Sequence, residues 1–206
     1  MSTPSAPPAA RRQPIQQRSQ ERLDRILSVA KQLIAQKGSD ALKMSEIADQ
    51  AEISIGSLYQ YFPDKRAILR TLAEQYTAES RRCIEDALAD THDKASLARA
   101  FSTLVDQYYA MFLGKPVRRD IMAGMRADKE LMAIELDESR ANGAVLAAAI
   151  RRAHPKVDAE RAGALAFLIW QLGEETMRLA LAHKRSDGAQ LVDAYKRMSL
   201  RAIAEP

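Results

Sequence analysis

Apolar residues recur along this chain at three- and four-residue steps, and strand-like alternation never lasts more than a few positions. Leu23, Ile26, Leu27, Ala30, Leu33 and Ile34 form the first stripe. It predicts an amphipathic helix capped by Ser19, with Glu21 in its first turn, and ended by Gly38. A short helix over about 44–51 follows and buries Ile47, Ala48 and Ala51. Ser54 is a good N-cap for another, about 55–61, which buries Leu58 and leaves Phe62 as a core anchor. Pro63 breaks the chain and Asp64 caps a long helix that carries Ile68, Leu69, Leu72 and Tyr76 on towards Ala89. The remainder reads as helices over about 94–113, 117–126, 130–153, 159–183 and 189–204. Gly114, Pro116, Pro155, Asp158 and an Asp187-Gly188 turn separate them. The predicted fold is all-α.

Three parts follow from this pattern. Residues 1–18, rich in Pro, Ala, Ser, Gln and Arg, read as a flexible basic arm. Residues 19–66 form a three-helix head, and 67–206 a second helical body entered through the long fourth helix. The lone cysteine, Cys83, excludes an intrachain disulfide, and a reducing cytoplasm is the expected compartment. No apolar run approaches the length of a membrane span, and no apolar segment follows Arg11 and Arg12, so neither a membrane partner nor a secretory signal is expected. Charge is uneven. Residues 1–82 hold thirteen Lys and Arg against nine Asp and Glu, whereas residues 83–206 hold eighteen of each. All the excess positive charge lies with the head, which suits attraction to phosphate, although a net +4 is also ordinary for a soluble protein.

The segment from Ser45 to Lys65 carries the chemistry. A short helix, a tight turn and a second short helix bearing hydroxyls, an amide and two tyrosines make a helix-turn-helix of the size that enters a DNA major groove. Leu58 and Phe62, four apart, must face the core, which leaves Ile55, Gly56, Ser57, Tyr59, Gln60 and Tyr61 towards DNA. The Gln60 amide can donate and accept together against adenine. Ser57 suits a base or a phosphate, and Gly56 leaves room for close backbone approach. Tyr59, Tyr61 and Lys65 suit phosphate oxygens, which fix register without reading sequence. Lys43 and Ser45 open the supporting helix, where N-terminal amides favour a phosphate. Two packed helices with a polar outer face would show the same residues without binding DNA. Arg11, Arg12 and Arg18 of the arm admit a minor-groove role beside that of a solvated tail.

Residues 20–66 closely resemble the DNA-binding domain of the TetR family of bacterial transcriptional regulators. The resemblance rests on Ile26-Leu27 with Ala30 and Leu33, on Gly38, on Ile47-Ala48, on Ile53 to Tyr59, and on Tyr61-Phe62 with Lys65. It implies a three-helix reader, a helical ligand-binding domain and a homodimer on a palindromic operator, with repression released by a small-molecule effector. The alternative from another class is a helical small-molecule-binding or interaction module without DNA affinity. Departures are present. The family often has Thr where Lys43 and Met44 stand, Gly where Glu52 stands and Lys where Ile55 stands. Ile55 suits a thymine methyl, so the operator is not expected to transfer from a relative.

In the C-terminal part, Leu165, Leu168, Leu172 and Leu179 line one helix, and Leu191, Tyr195 and Met198 the next. The resemblance implies that these helices pair with their copies, and Gly163 and Gly173 would allow close approach. Closing the monomer's own core is the plainer reading of the same stripes. Met111, Met122 and Met125 with Phe101, Tyr108, Phe167 and Trp170 suit an apolar effector pocket, and ordinary packing explains them too. Arg118, Arg119 and Arg126 read as a solvated face or as contacts to an acidic ligand. His92, His154 and His183 lack metal-ligand spacing, and no phosphate loop or nucleophile elbow is present. No catalysis, metal or cofactor is therefore expected.

Overall fold

A computed structural model describes residues 9–114, 116–126 and 129–206. Among these residues every regular element is an α-helix. In chain order they are α1 (Ala9–Lys37), α2 (Met44–Gln50), α3 (Ile55–Tyr61), α4 (Lys65–Leu88), α5 (Lys94–Gly114), α6 (Pro116–Arg126), α7 (Lys129–Ala153), α8 (Ala159–Ala182) and α9 (Arg185–Ala204). None of them is long and apolar enough to cross a membrane. The chain divides into two compact units, Met1–Leu72 and Ala73–Pro206.

The N-terminal unit is built on the α1 stripe. Ile26, Leu27, Ala30, Leu33 and Ile34 are buried with Ile47, Ala48 and Ala51 of the α2 region and Leu58 and Phe62 of the α3 region. Gly38 ends α1 with φ +82°, and its N–H bonds the Ile34 carbonyl at 2.8 Å. Helix α1 starts ten residues before the expected cap at Ser19, so residues 9–18 continue the helix. Ala9, Ala10, Arg11, Arg12, Gln13, Gln16, Gln17 and Arg18 are strong helix formers, and Pro14 removes one backbone bond without stopping them. The Ser19 hydroxyl instead lies 3.2 Å from that of Tyr61. The first eight residues of the arm lie outside the described residues.

Two of the caps read from the sequence around the reader are present. Ser54 accepts the Ser57 N–H at 3.1 Å, and Asp64 accepts that of Ala67 at 2.9 Å. The unit boundary falls at Leu72 and not at residue 66, because Ile68, Leu69 and Leu72 from the first two turns of α4 are buried in the head.

The C-terminal unit packs α7, α8 and α9 side by side with α5 laid across α9. Its core joins Ile84, Leu97, Phe101, Leu104, Val105, Tyr108, Leu146, Ile150, Trp170, Met177 and Val192. Asp93 and Ser96 cap α5 reciprocally: Asp93 Oδ1 accepts the Ser96 N–H at 2.7 Å, and Ser96 Oγ accepts the Asp93 N–H at 3.0 Å. Asp158 caps α8 through the Arg161 N–H at 2.9 Å. Arg152 bonds the Leu88 and Thr91 carbonyls at 2.6 and 3.0 Å and so closes the end of α4.

The expected Asp187-Gly188 turn is absent. Both residues lie in the first turn of α9, which begins at Arg185. Gly188 is there for space: a Cβ would stand 2.3 Å from the Ala180 carbonyl oxygen. A glycine that lets one helix close on another leaves the same mark in a sequence as one that turns the chain.

Candidate functional site

The turn between α2 and α3 aims the reader. Ala51 caps α2, Glu52 takes φ 55°, the Ile53 N–H bonds the Ala48 carbonyl at 3.0 Å and the Glu52 N–H that of Asp49 at 3.2 Å. Two such crossed bonds around one left-handed residue define a Schellman motif. Beyond it, α3 turns one face inward, where Leu58 is 0% exposed. On the other face Ile55 is 43% and Tyr59 51% exposed, and Gly56 and Gln60 are also exposed. Ser57 and Tyr61 are half-buried.

Polar ties hold this head. Lys37 of α1 pairs with Glu46 of α2, and that bond holds the Glu46 carboxyl below its ordinary pKa. The Lys65 ammonium donates to the Asp40 carbonyl at 3.0 Å, which fastens the α1–α2 loop and engages a group expected at phosphate. Tyr61 meets Ser19, as described above. Lys43 and Ser45 stand exposed at the opening of α2, whose N-cap, Lys43, makes no side-chain cap bond. The residues expected at DNA thus divide: Ile55, Gly56, Tyr59, Gln60, Lys43 and Ser45 are exposed, whereas Tyr61 and Lys65 have roles inside the head.

The C-terminal unit holds two adjoining recesses. The first, about 540 Å³, is lined by Tyr108, Phe112, Arg118, Met122, Met125, Asn142, Trp170 and the carboxylates Glu74, Glu135, Glu138 and Glu174. The second, about 400 Å³, is mainly apolar and shares Tyr108, Trp170 and Glu174 with the first. Phe101 lines this second recess. The Tyr108 hydroxyl donates to Glu174 at 2.7 Å where the two meet. Burial first, and the Glu174 charge second, push the Tyr108 phenol well above its usual pKa.

Arg118 overturns its reading as a solvated residue. It is 3% exposed, its guanidinium lies 4.8 Å from the Phe112 ring centre and 5.4 and 5.7 Å from those of Tyr76 and Tyr108. It also donates to Ser80 and to the Met111 sulfur, while its Nε has no partner. The sequence gave no sign of this, because an arginine on a mostly polar helix is usually solvated. Phe167 departs from its expected place: it packs across Gly143 in a separate groove between α7 and α8.

Residues 95–205 match the family of tetracyclin repressor-like C-terminal domains, and residues 26–72 match bacterial regulatory proteins of the tetR family. The chain belongs to the TetR family of transcriptional regulators. The HTH-type repressor KstR of Mycobacterium tuberculosis is 39% identical over 49 residues, which are 24% of this chain and 22% of that protein. The fatty acid metabolism regulator protein of Bacillus subtilis is 26% identical over 89 residues, 43% of this chain and 44% of that one. The chain therefore spans less than half the length of these curated relatives. Among solved structures, FadR from Bacillus subtilis in complex with stearoyl-CoA shares the fold with TM-score 0.67 at 17% identity, over 89% of this chain and 98% of that one. FadR from Bacillus halodurans gives 0.68 at 17%, over 87% and 94%.

The last two helices of this TetR-family chain carry an uncovered stripe. Leu168 is 55% exposed, and Leu172, Leu179, Leu191 and Met198 are exposed with it. Two expected members lie elsewhere. Leu165 is partly buried against the core, and Tyr195 is buried with its hydroxyl on the Ile169 carbonyl at 2.8 Å, over Gly173. Tyr195 is therefore core, because its phenol needs that buried partner. Cys83 of α4 is half-buried, and burial pushes its thiol up, which opposes nucleophilic use.

Proposed function

We propose that this regulator binds a palindromic DNA operator as a homodimer through α3 and represses transcription, probably of its own or an adjacent gene being unnecessary to the argument. The observation that carries the reading is the exposure of Tyr59 and Gln60 on a helix whose opposite face, Leu58, is fully buried. Such a helix presents polar groups on a rigid base, as groove reading requires. Gln60 is the base reader, Ile55 meets a thymine methyl, and Tyr59, Ser57, Lys43 and Ser45 hold phosphates. The uncovered leucines of α8 and α9 are the pairing surface, since an isologous two-fold contact matches a palindrome. The chain acts as a regulator and not as an enzyme, works in the cytoplasm, and needs no metal or cofactor.

A small molecule in the recesses of the C-terminal unit releases the operator by binding the DNA-incompetent form more tightly. Helix α4 runs through the unit boundary and is the lever. The test is selection of bound duplexes from a random pool with purified protein. One enriched palindrome is expected. Gln60→Ala should then flatten base preference, and Tyr59→Phe should weaken all duplexes alike. A pool without an enriched motif would leave a ligand-binding module that does not read DNA.

A further inference from the structure

We infer that the recess takes an organic cation: a protonated amine attached to an apolar body. The inference rests on the reading of the C-terminal unit as the sensor and specifies its ligand. Four carboxylates and one guanidinium line the first recess. Glu138 is paired with Arg81 and Glu174 holds the Tyr108 hydroxyl, yet even with Arg81 counted the carboxylates exceed the cations by two. A second observation is independent of charge. Asn142 is 4% exposed, lines the same recess, and its Oδ1 accepts no hydrogen bond. A buried oxygen acceptor without a donor is costly, and an ammonium N–H supplies one.

The ring faces agree. The wall already holds one cation, Arg118, against three aromatic rings, so it is built to stabilise positive charge out of water. The second recess is mainly apolar and begins at Tyr108, Trp170 and Glu174, where the first ends. A ligand with its head beside Glu135, Glu138, Glu174 and Asn142 can therefore lay an alkyl or aryl body beyond Trp170. The Tyr108–Glu174 hydrogen bond stands between the two spaces and gives way as the body passes. A coenzyme A thioester brings several phosphate charges, which the same carboxylates oppose.

Trp170 is the sole tryptophan of the chain and lines both recesses, so its fluorescence reports occupancy directly. Full-length protein is titrated with dodecylamine, dodecanoate, dodecanol and stearoyl-CoA below their micelle concentrations. Dodecylamine should bind roughly tenfold or more tighter than dodecanoate. Glu174→Gln and Glu135→Gln should each weaken the amine and leave dodecanol unchanged. Arg118→Met should tighten the amine and weaken dodecanoate, since it removes a like charge; circular dichroism checks that each variant is folded. Tighter binding of dodecanoate or stearoyl-CoA, loss of amine binding in Arg118→Met, or no binding by any chain overturns the inference. Duplex selection without ligand separates the two readings. An enriched operator with no amine binding sinks the cation alone, and amine binding with no operator sinks the regulator alone.

Discussion

Glu52 holds a conformation that an L side chain resists. Its φ of 55° sets the bend between α2 and α3 and therefore the aim of Tyr59 and Gln60. Glycine reaches this region without its Cβ meeting the neighbouring carbonyl. Glu52→Gly should therefore stabilise the head by about 0.5–1 kcal/mol, net of the greater freedom glycine gains when unfolded. A urea denaturation midpoint that moves up checks this, and an unchanged or lower midpoint counts against it. The position was legible beforehand as a departure from the usual glycine, although the strain itself was not. The buried state of Arg118 was illegible for a different reason. Its partners Tyr76, Ser80, Tyr108 and Phe112 come from α4 and α5, and no local spacing links them to α6.

At the scale of elements, periodicity located the interiors of helices and capping chemistry located several of their starts. Ser54, Asp64 and Asp158 cap where expected, because a cap is a local bond between residues three apart. The starts of α1 and α9 were misplaced, because Pro14 and Asp187-Gly188 are also turn signals, and the helices here override them. The Asp93 cap of α5 was not anticipated, and it makes stability depend on pH. Its bonds from Ser96 hold the Asp93 carboxyl below the ordinary value of 3.8. A depressed carboxyl favours the fold above the unfolded pKa and loses that effect as pH falls through the folded one. Asp93→Ala should lower Tm at pH 7, and the gap from the native chain should close as pH drops below about 4. A gap that is constant from pH 7 to 3 would place the effect in packing instead.

For the whole molecule, the two-part plan was legible because the stripes of the head close on themselves before α4 ends. The boundary slipped to Leu72 because a continuous helix carries no punctuation where it passes from one core to the next. The α8 and α9 stripes mixed two destinations. Tyr195 went to the core, whereas Leu168 and Met198 stayed outside, and spacing alone does not separate them. Uncovered leucines of this kind mark a contact surface. In sedimentation equilibrium the native chain should behave as a dimer, and Leu168→Glu should shift it towards monomer and weaken operator binding at least tenfold. A native chain that sediments as a monomer would remove the basis for palindrome reading.

Arg118 has one more consequence, for heat resistance. A guanidinium shut away from water with an unmatched N–H raises the free energy of the vacant domain. The domain is thus softer when empty than its close-fitting helices suggest, and a methionine at that place should raise its melting temperature. Such softness is what lets a small guest reshape a helical body at modest cost, so the feature that limits endurance is also the one that keeps the molecule responsive.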